Sequence, residues 1–312
     1  MFPGGLIGHP FQVHLMRFCF ILLLLLNAHT ALSAQALRLD TNSNIEVVFP
    51  DKNPVIFVGK KSLDKSANNG GGIMYPGDTA GLFLVSVLTH AAISGAAQSS
   101  AEKKEQELAN QVLAPFADII KEVDMNFLWD EQRIRAADPK LHDLVFNTQK
   151  SAIANSWSLD TKPVFALTQS KASLILYNKI NLECAGDGSK KKSKNRSKKK
   201  PAESDGLTVV IISDPIIEEN KTDYWLRNSG SAFKNEIKRL FTLSIGMAIQ
   251  SARDEVSISS LPEVSVRYLQ DGLKYLERGQ IITQDCRRTV FKTLSNELKS
   301  VPNLDFTNCP QT

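Results

Sequence analysis

The chain is poor in the residues that most often carry chemistry. It holds four cysteines and five histidines in 312 residues. No CxxC pair occurs, and a processed chain lacking its first 36 residues would keep only His90 and His142, far from the cysteines in sequence. A zinc site is therefore not expected. HExxH, GxSxG and GxGxxG are also absent, which removes the commonest signatures of metalloproteases, α/β-hydrolases and dinucleotide enzymes. No repeat of 20–50 residues is visible, so solenoids and propellers are excluded. The remaining composition, 42% hydrophobic and 22% charged, is that of a globular protein.

Two near-motifs fail on inspection. Gly72 to Thr79 has phosphate-loop spacing, but Asp78 stands where a lysine is needed. A carboxylate there repels the phosphates that the lysine would neutralise. Ser231-Ala-Phe-Lys234 matches SxxK, as does Ser62-Leu-Asp-Lys65, without SDN or KTG companions. Helix capping by Ser229 or Ser231 is the simpler reading. No catalytic residue, metal or cofactor is assigned.

What is present begins with a leader. Met16-Arg17 precedes nine apolar residues, Phe18 to Leu26, and then a small-residue stretch. This is the plan of a secretory signal peptide over residues 1–36, with cleavage near Ala34 or Ala36. The apolar run is shorter than the ~20 residues a membrane span needs. Thr79 to Ala101 carries no formal charge, and its Ala, Ser and Gly content suits a buried packing helix better than a span.

Residues 37–312 read as an exported α+β region, arranged as two lobes, 37–155 and 156–312. Residues 45–49 and 55–58 suggest a small N-terminal β-hairpin about Asp51-Lys52-Asn53-Pro54. Leu108, Val112, Phe116, Ile119 and Val123 predict an amphipathic helix over 102–123, kinked at Pro115. A shorter helix is expected over 138–154. Residues 163–169, 173–183 and 207–213 predict central antiparallel strands (about 163–213) flanked by helices. The C-terminal third is expected to be helical: Ser231–Glu255, Glu263–Arg278 and Arg287–Lys299.

In an oxidising compartment the remaining Cys184, Cys286 and Cys309 leave one thiol over after a single bridge. Cys286 with Cys309 is the favoured pair. A helix over Arg287–Lys299 would climb about 20 Å, and the following residues return up to about 30 Å.

Charge is the strongest outlier. The formal net charge is +4, yet residues 190–200 alone hold eight cations: Lys190, Lys191, Lys192, Lys194, Arg196, Lys198, Lys199 and Lys200. The rest of the chain is therefore 4 − 8 = −4. The tract sits in a loop, 185–205, without large apolar residues, and is expected to be disordered. It would attract anionic lipid, lipopolysaccharide or another polyanion. No aromatic residue interleaves the cations, so specific nucleic-acid binding is not expected.

These observations predict an exported, non-catalytic accessory or binding protein of the periplasm, cell envelope or extracellular space, with an unknown protein partner. An exported hydrolase with a dispersed active site and a membrane-anchored envelope component are the alternatives.

Overall fold

A computed structural model describes residues 44–47, 55–60, 100–137, 145–147, 157–184, 206–258, 261–305 and 309. These residues build one ten-stranded mixed sheet. Its strands are β1 (Asn44–Val47), β2 (Ile56–Gly59), β3 (Val145–Asn147), β4 (Trp157–Leu167), β5 (Leu174–Cys184), β6 (Leu207–Ile212), β7 (Glu263–Gln270), β8 (Leu273–Gln284), β9 (Arg288–Thr293) and β10 (Leu298–Pro302). The order is β3-β1-β4-β5-β6-β10-β9-β8-β7, with β2 also on β4. The helices are α1 (Ser100–Asn110), a 3-10 segment (Gln111–Phe116), α2 (Ala117–Lys121), α3 (Met125–Leu128), α4 (Glu131–Ala137) and the long α5 (Lys221–Ile258).

The expected frame of antiparallel strands flanked by helices is corrected in three places. The N-terminal hairpin does not form: β1 and β2 each pair parallel with β4, at Trp157–Leu159 and Val164–Leu167. They therefore run in one direction, so they are not the two arms of a hairpin. The segment expected as a helix over 138–154 contains strand β3 at 145–147; its other residues lie outside the described ones. The C-terminal third is mostly sheet. After α5, the residues expected as two helices form the meander β7-β8-β9-β10.

The physical cause of that last difference is a turn. Asp271 and Gly272 both have positive φ, 56° and 73°. Two such residues reverse a strand with the twist that a two-residue hairpin requires. They split the helix-like spacing of Val266, Leu269, Leu273 and Leu276 into two strands. The true period is two: Val264, Val266, Tyr268 and Gln270 share one face of β7.

The amphipathic stretch after Ser100 is α-helical to Asn110, tightens to a 3-10 segment that contains Pro115, and resumes as α2 over Ala117–Lys121. Val112, Phe116 and Val123 are buried as the spacing predicts, but Leu108 is exposed. The central strands lie close to their expected positions, with β4 starting earlier, at Trp157. Within α5, Arg227 to Gly230 leave helical geometry, and Asn228, Ser229 and Gly230 all have positive φ. The helix proper resumes at Ser231. Ahead of that break, Asn220 caps the first turn of α5, just before Lys221, accepting the Asp223 N–H at 3.2 Å.

The two faces of the sheet bury different cores. On the first, Leu159, Phe165, Leu174, Leu176, Val209 and Ile211 meet Phe233, Ile237, Leu240, Phe241 and Ile245 of α5. Phe233 stacks on Phe116 at 5.1 Å and meets Trp225 edge-on at 5.8 Å. A buried hydrogen-bond chain ties sheet to helix. Thr161 donates to Asn178 (2.6 Å), Asn178 to Ser244 (2.8 Å), and Ser244 to the Phe241 carbonyl (2.7 Å). All of these partners are paired, so the polar chain carries little desolvation cost.

On the second face, the C-terminal meander curls back over the sheet. Val266 and Tyr268 of β7 and Phe291 of β9 join Ala166, Ile175, Val210, Ile212 and Val301 in one cluster. Gly279 permits the curl: a Cβ there would lie 2.5 Å from the Lys292 carbonyl oxygen and 2.7 Å from the Phe291 ring. The turn of the β7–β8 hairpin reaches the β4–β5 turn, where Ser170 donates to Asp271.

Candidate functional site

The second face holds the most unusual chemistry of the described residues. Lys299, on β10, is buried, and its Nζ lies 2.7 Å from Glu277 Oε2. Tyr268 donates its hydroxyl to the same carboxylate oxygen at 3.0 Å. Lys299 also stands over the Tyr268 ring, 5.7 Å from its centre. Parallel pairing with β6 sets Lys299 beside Val210, pointing to the face opposite α5. Antiparallel pairing sets Tyr275 of β8 opposite Tyr268, and the rings stack at 5.6 Å.

Burial controls the protonation of this cluster. It raises the Tyr177 phenol well above its ordinary value. It also raises Tyr268, where the Glu277 charge and hydrogen bond add to it. Glu297 is raised by burial, which the Lys299 charge opposes. Lys60, just after β2, stands over the Tyr275 ring at 5.8 Å. Burial, helped by the Lys299 charge and opposed by Asp271, pulls its amine down to about 8. These are neutral phenols and one easily neutralised amine around a satisfied ion pair. They could hold or move a proton, but no nucleophile with an adjacent base stands among them.

A second ionic cluster closes the end of β6. Arg288 donates to Asp214 (2.6 Å), to the Ile212 carbonyl (2.6 Å) and to Ser300 Oγ (3.1 Å), while Arg287 donates to Asp214 at 3.1 Å. Burial and the nearby Arg239 charge lower the Arg288 guanidinium. Burial alone would also lower Arg239, but its hydrogen bond and ion pair with Glu236 outweigh that and raise it. The Arg288 donors are occupied by protein atoms, so this is a structural clasp between strands.

Two lysines on the second face are differently placed. Lys162 of β4 and Lys179 of β5 are direct cross-strand partners. Both are half-buried. They share their face with Val164 and Tyr177 by the two-residue alternation of strands. Lys179 in turn pairs with Thr208 of β6. Neither lysine has an ion-pair partner among the described residues. A Cβ on Gly206 would lie 3.6 Å from Cε of Lys179, so this side chain runs beside the residue that opens β6.

The sequence candidates fall as follows. The basic residues 190–200, the leader 1–36, the uncharged stretch before Ser100, the Gly72–Thr79 loop, His90 and His142 lie outside the described residues. Residues 185–205 join β5 to β6, which are adjacent antiparallel strands. Ser231 donates to the Arg227 carbonyl at 3.4 Å, and Lys234 pairs with Glu122 at 2.5 Å. Lys234 is thus bonded away from Ser231, and the SxxK reading has no support here. Cys286 and Cys309 form the expected disulfide, with Cα atoms 5.8 Å apart. The helix invoked to close it is instead the β9–β10 hairpin, which returns the chain by strand reversal. A disulfide accords with a non-cytoplasmic compartment. No helix of the described residues is long and apolar enough to cross a membrane. No group of three or more His, Cys, Asp or Glu that could hold a metal occurs among the described residues.

Sequence reasoning missed the Lys299–Glu277–Tyr268 cluster and the Lys162–Lys179 pair. The first draws on three separated strands. The second was readable only with the β4–β5 register in hand. No family model matches the chain, and comparison with curated proteins and solved structures finds no match either.

Proposed function

We propose that the protein is an exported binding protein that docks on an anionic lipid surface through the basic stretch 190–200. The carrying observation is the concentration of eight cations in eleven residues, on a chain that is otherwise net −4. Such a stretch cannot bury enough apolar surface to fold alone. Each Lys or Arg near an anionic leaflet contributes about 1 kcal/mol at most, less as salt rises. Its insertion between adjacent strands supports a docking role, because both of its ends are tied to a rigid sheet. The disulfide supports the exported location, in the periplasm, cell envelope or outside the cell.

The test is deletion of residues 189–200. The shortened chain should keep the thermal unfolding transition of the full chain. It should lose most of its flotation with vesicles containing phosphatidylglycerol. Binding to pure phosphatidylcholine vesicles should be weak for both. Lipopolysaccharide aggregates and soluble heparin, run in parallel, separate a lipid surface from polyanions in general. Undiminished binding to anionic vesicles after the deletion would remove the docking role.

A further inference from the structure

We propose that Lys162 and Lys179 form a fixed phosphate-binding pair on the second face of the sheet, taking the headgroup phosphate of an anionic lipid. This rests on the docking reading above and adds to it a site built from strands.

Like charges placed directly opposite each other on neighbouring strands destabilise a sheet. Here the opposition is imposed by the β4–β5 register, in which Lys162 faces Lys179 across an unbroken ladder from Trp157–Cys184 to Leu167–Leu174. Neither amine is relieved by a described acid. Asp160, the acid nearest in register, lies opposite Asn181, and no ion pair joins it to either lysine. One of its carboxylate oxygens is buried without a hydrogen-bond partner. Cβ atoms of directly opposed residues stand about 4.5–5.5 Å apart, so two flexible ammonium groups can each reach one of the two non-bridging oxygens of a single phosphodiester. Thr208, opposite Lys179 on β6, supplies a hydroxyl at the next strand.

Half-burial selects the occupant. Both lysines are half-buried and share their face with Val164 and Tyr177 by strand alternation, which suits lysines that cover apolar surface with their stems and extend their amines to solvent. A flat surface touches such a pair poorly. A phosphate that projects from a headgroup fits between them. Location agrees: Lys179 runs beside Gly206, where the chain re-enters the sheet after residues 185–205.

The experiment compares four full-length proteins: the native chain, the deletion of 189–200, K162Q/K179Q, and the deletion combined with K162Q/K179Q. Each is titrated with phosphatidylcholine vesicles carrying phosphatidylglycerol, and with short-chain phosphatidylglycerol below its micellar concentration. The double substitution should weaken vesicle binding about 5-fold for each lysine, up to about 30-fold together. It should also abolish the response to the monomeric lipid, which the deletion alone should leave largely intact. D160N should strengthen both by removing the nearest negative charge. Removing the like-charge pair should raise rather than lower the unfolding temperature, which separates lost binding from lost folding. If the deletion abolishes vesicle binding while K162Q/K179Q matches the native chain in both titrations, the pair is refuted and the docking stretch stands. If K162Q/K179Q weakens binding and the deletion does not, the stretch is refuted and the pair stands. Unchanged binding in all variants overturns both.

Discussion

Replacing Lys299 by methionine removes the cation of a pair that water hardly reaches. The Lys299 side chain is 3% exposed and that of Glu277 13%, and their charged atoms are 2.7 Å apart. Without the ammonium, Glu277 keeps the Tyr268 hydroxyl at 3.0 Å but becomes an uncompensated charge in a nearly dry site. Breaking one side of such a pair costs about 3–5 kcal/mol, whereas replacing both sides by apolar groups of similar volume is close to neutral. Whole-domain stabilities are about 5–15 kcal/mol, so K299M alone should remove a large share. Urea unfolding followed by tryptophan fluorescence should show a midpoint lower by more than about 1 M. K299M/E277L should recover much of that loss, giving a coupling of about 1–3 kcal/mol. The Lys60 amine should also rise from about 8, because Lys299 helps to hold it down. A cost for K299M below about 1 kcal/mol, or strictly additive single costs, would refute a desolvated ion pair on this face.

Two further outcomes test other parts of the fold. Cys286→Ser should lower stability by about 3 kcal/mol, the loop-closure value for 22 intervening residues; an unfolding midpoint equal to that of the native chain would show that the bridge constrains little. Stability should also depend on alkaline pH. The Lys60 amine is about 8 in the fold against 10.5 in its absence, so above pH 8 the unfolded chain binds more protons and stability rises, by at most about 2 kcal/mol up to pH 9.5. Above about pH 10 the raised phenols of Tyr177 and Tyr268 reverse the slope, since they ionise only on unfolding. K60Q should flatten the rise between pH 8 and 9.5; an identical rise in that variant would assign it to another group.

The middle strands were legible because Val, Ile and Leu dominate them and turn residues bound them. The C-terminal meander was not, although its strongest signal was in plain sight. Asp271-Gly272 between alternating residues is a hairpin turn, but Tyr275-Leu-Glu-Arg278 favours helix locally and its apolar spacing fits either period. Burial of Val266, Tyr268 and Phe291 against the sheet then outweighs local preference. β1 and β2 were legible as strands, but their partner, β4, lies about a hundred residues away, and no local rule names it. The disulfide pairing was reached through a helix that does not exist. It survives because a hairpin of similar length also brings the chain back. The basic stretch is compositional and visible at once. The lysine pair needs the register of β4 and β5, which follows only when the Thr168–Ser173 turn is known to close with Leu167 opposite Leu174.

Salt dependence on anionic vesicles tests the docking account most directly. Affinity of the full-length protein for phosphatidylglycerol vesicles should fall steeply as sodium chloride rises from about 50 to 200 mM, because the screening length of exposed charges halves, from about 14 Å to about 7 Å, over that range. Deleting residues 189–200 should remove most of the affinity and most of its salt dependence together. A full-length protein whose vesicle affinity is indifferent to salt, or is unchanged by the deletion, would contradict the account.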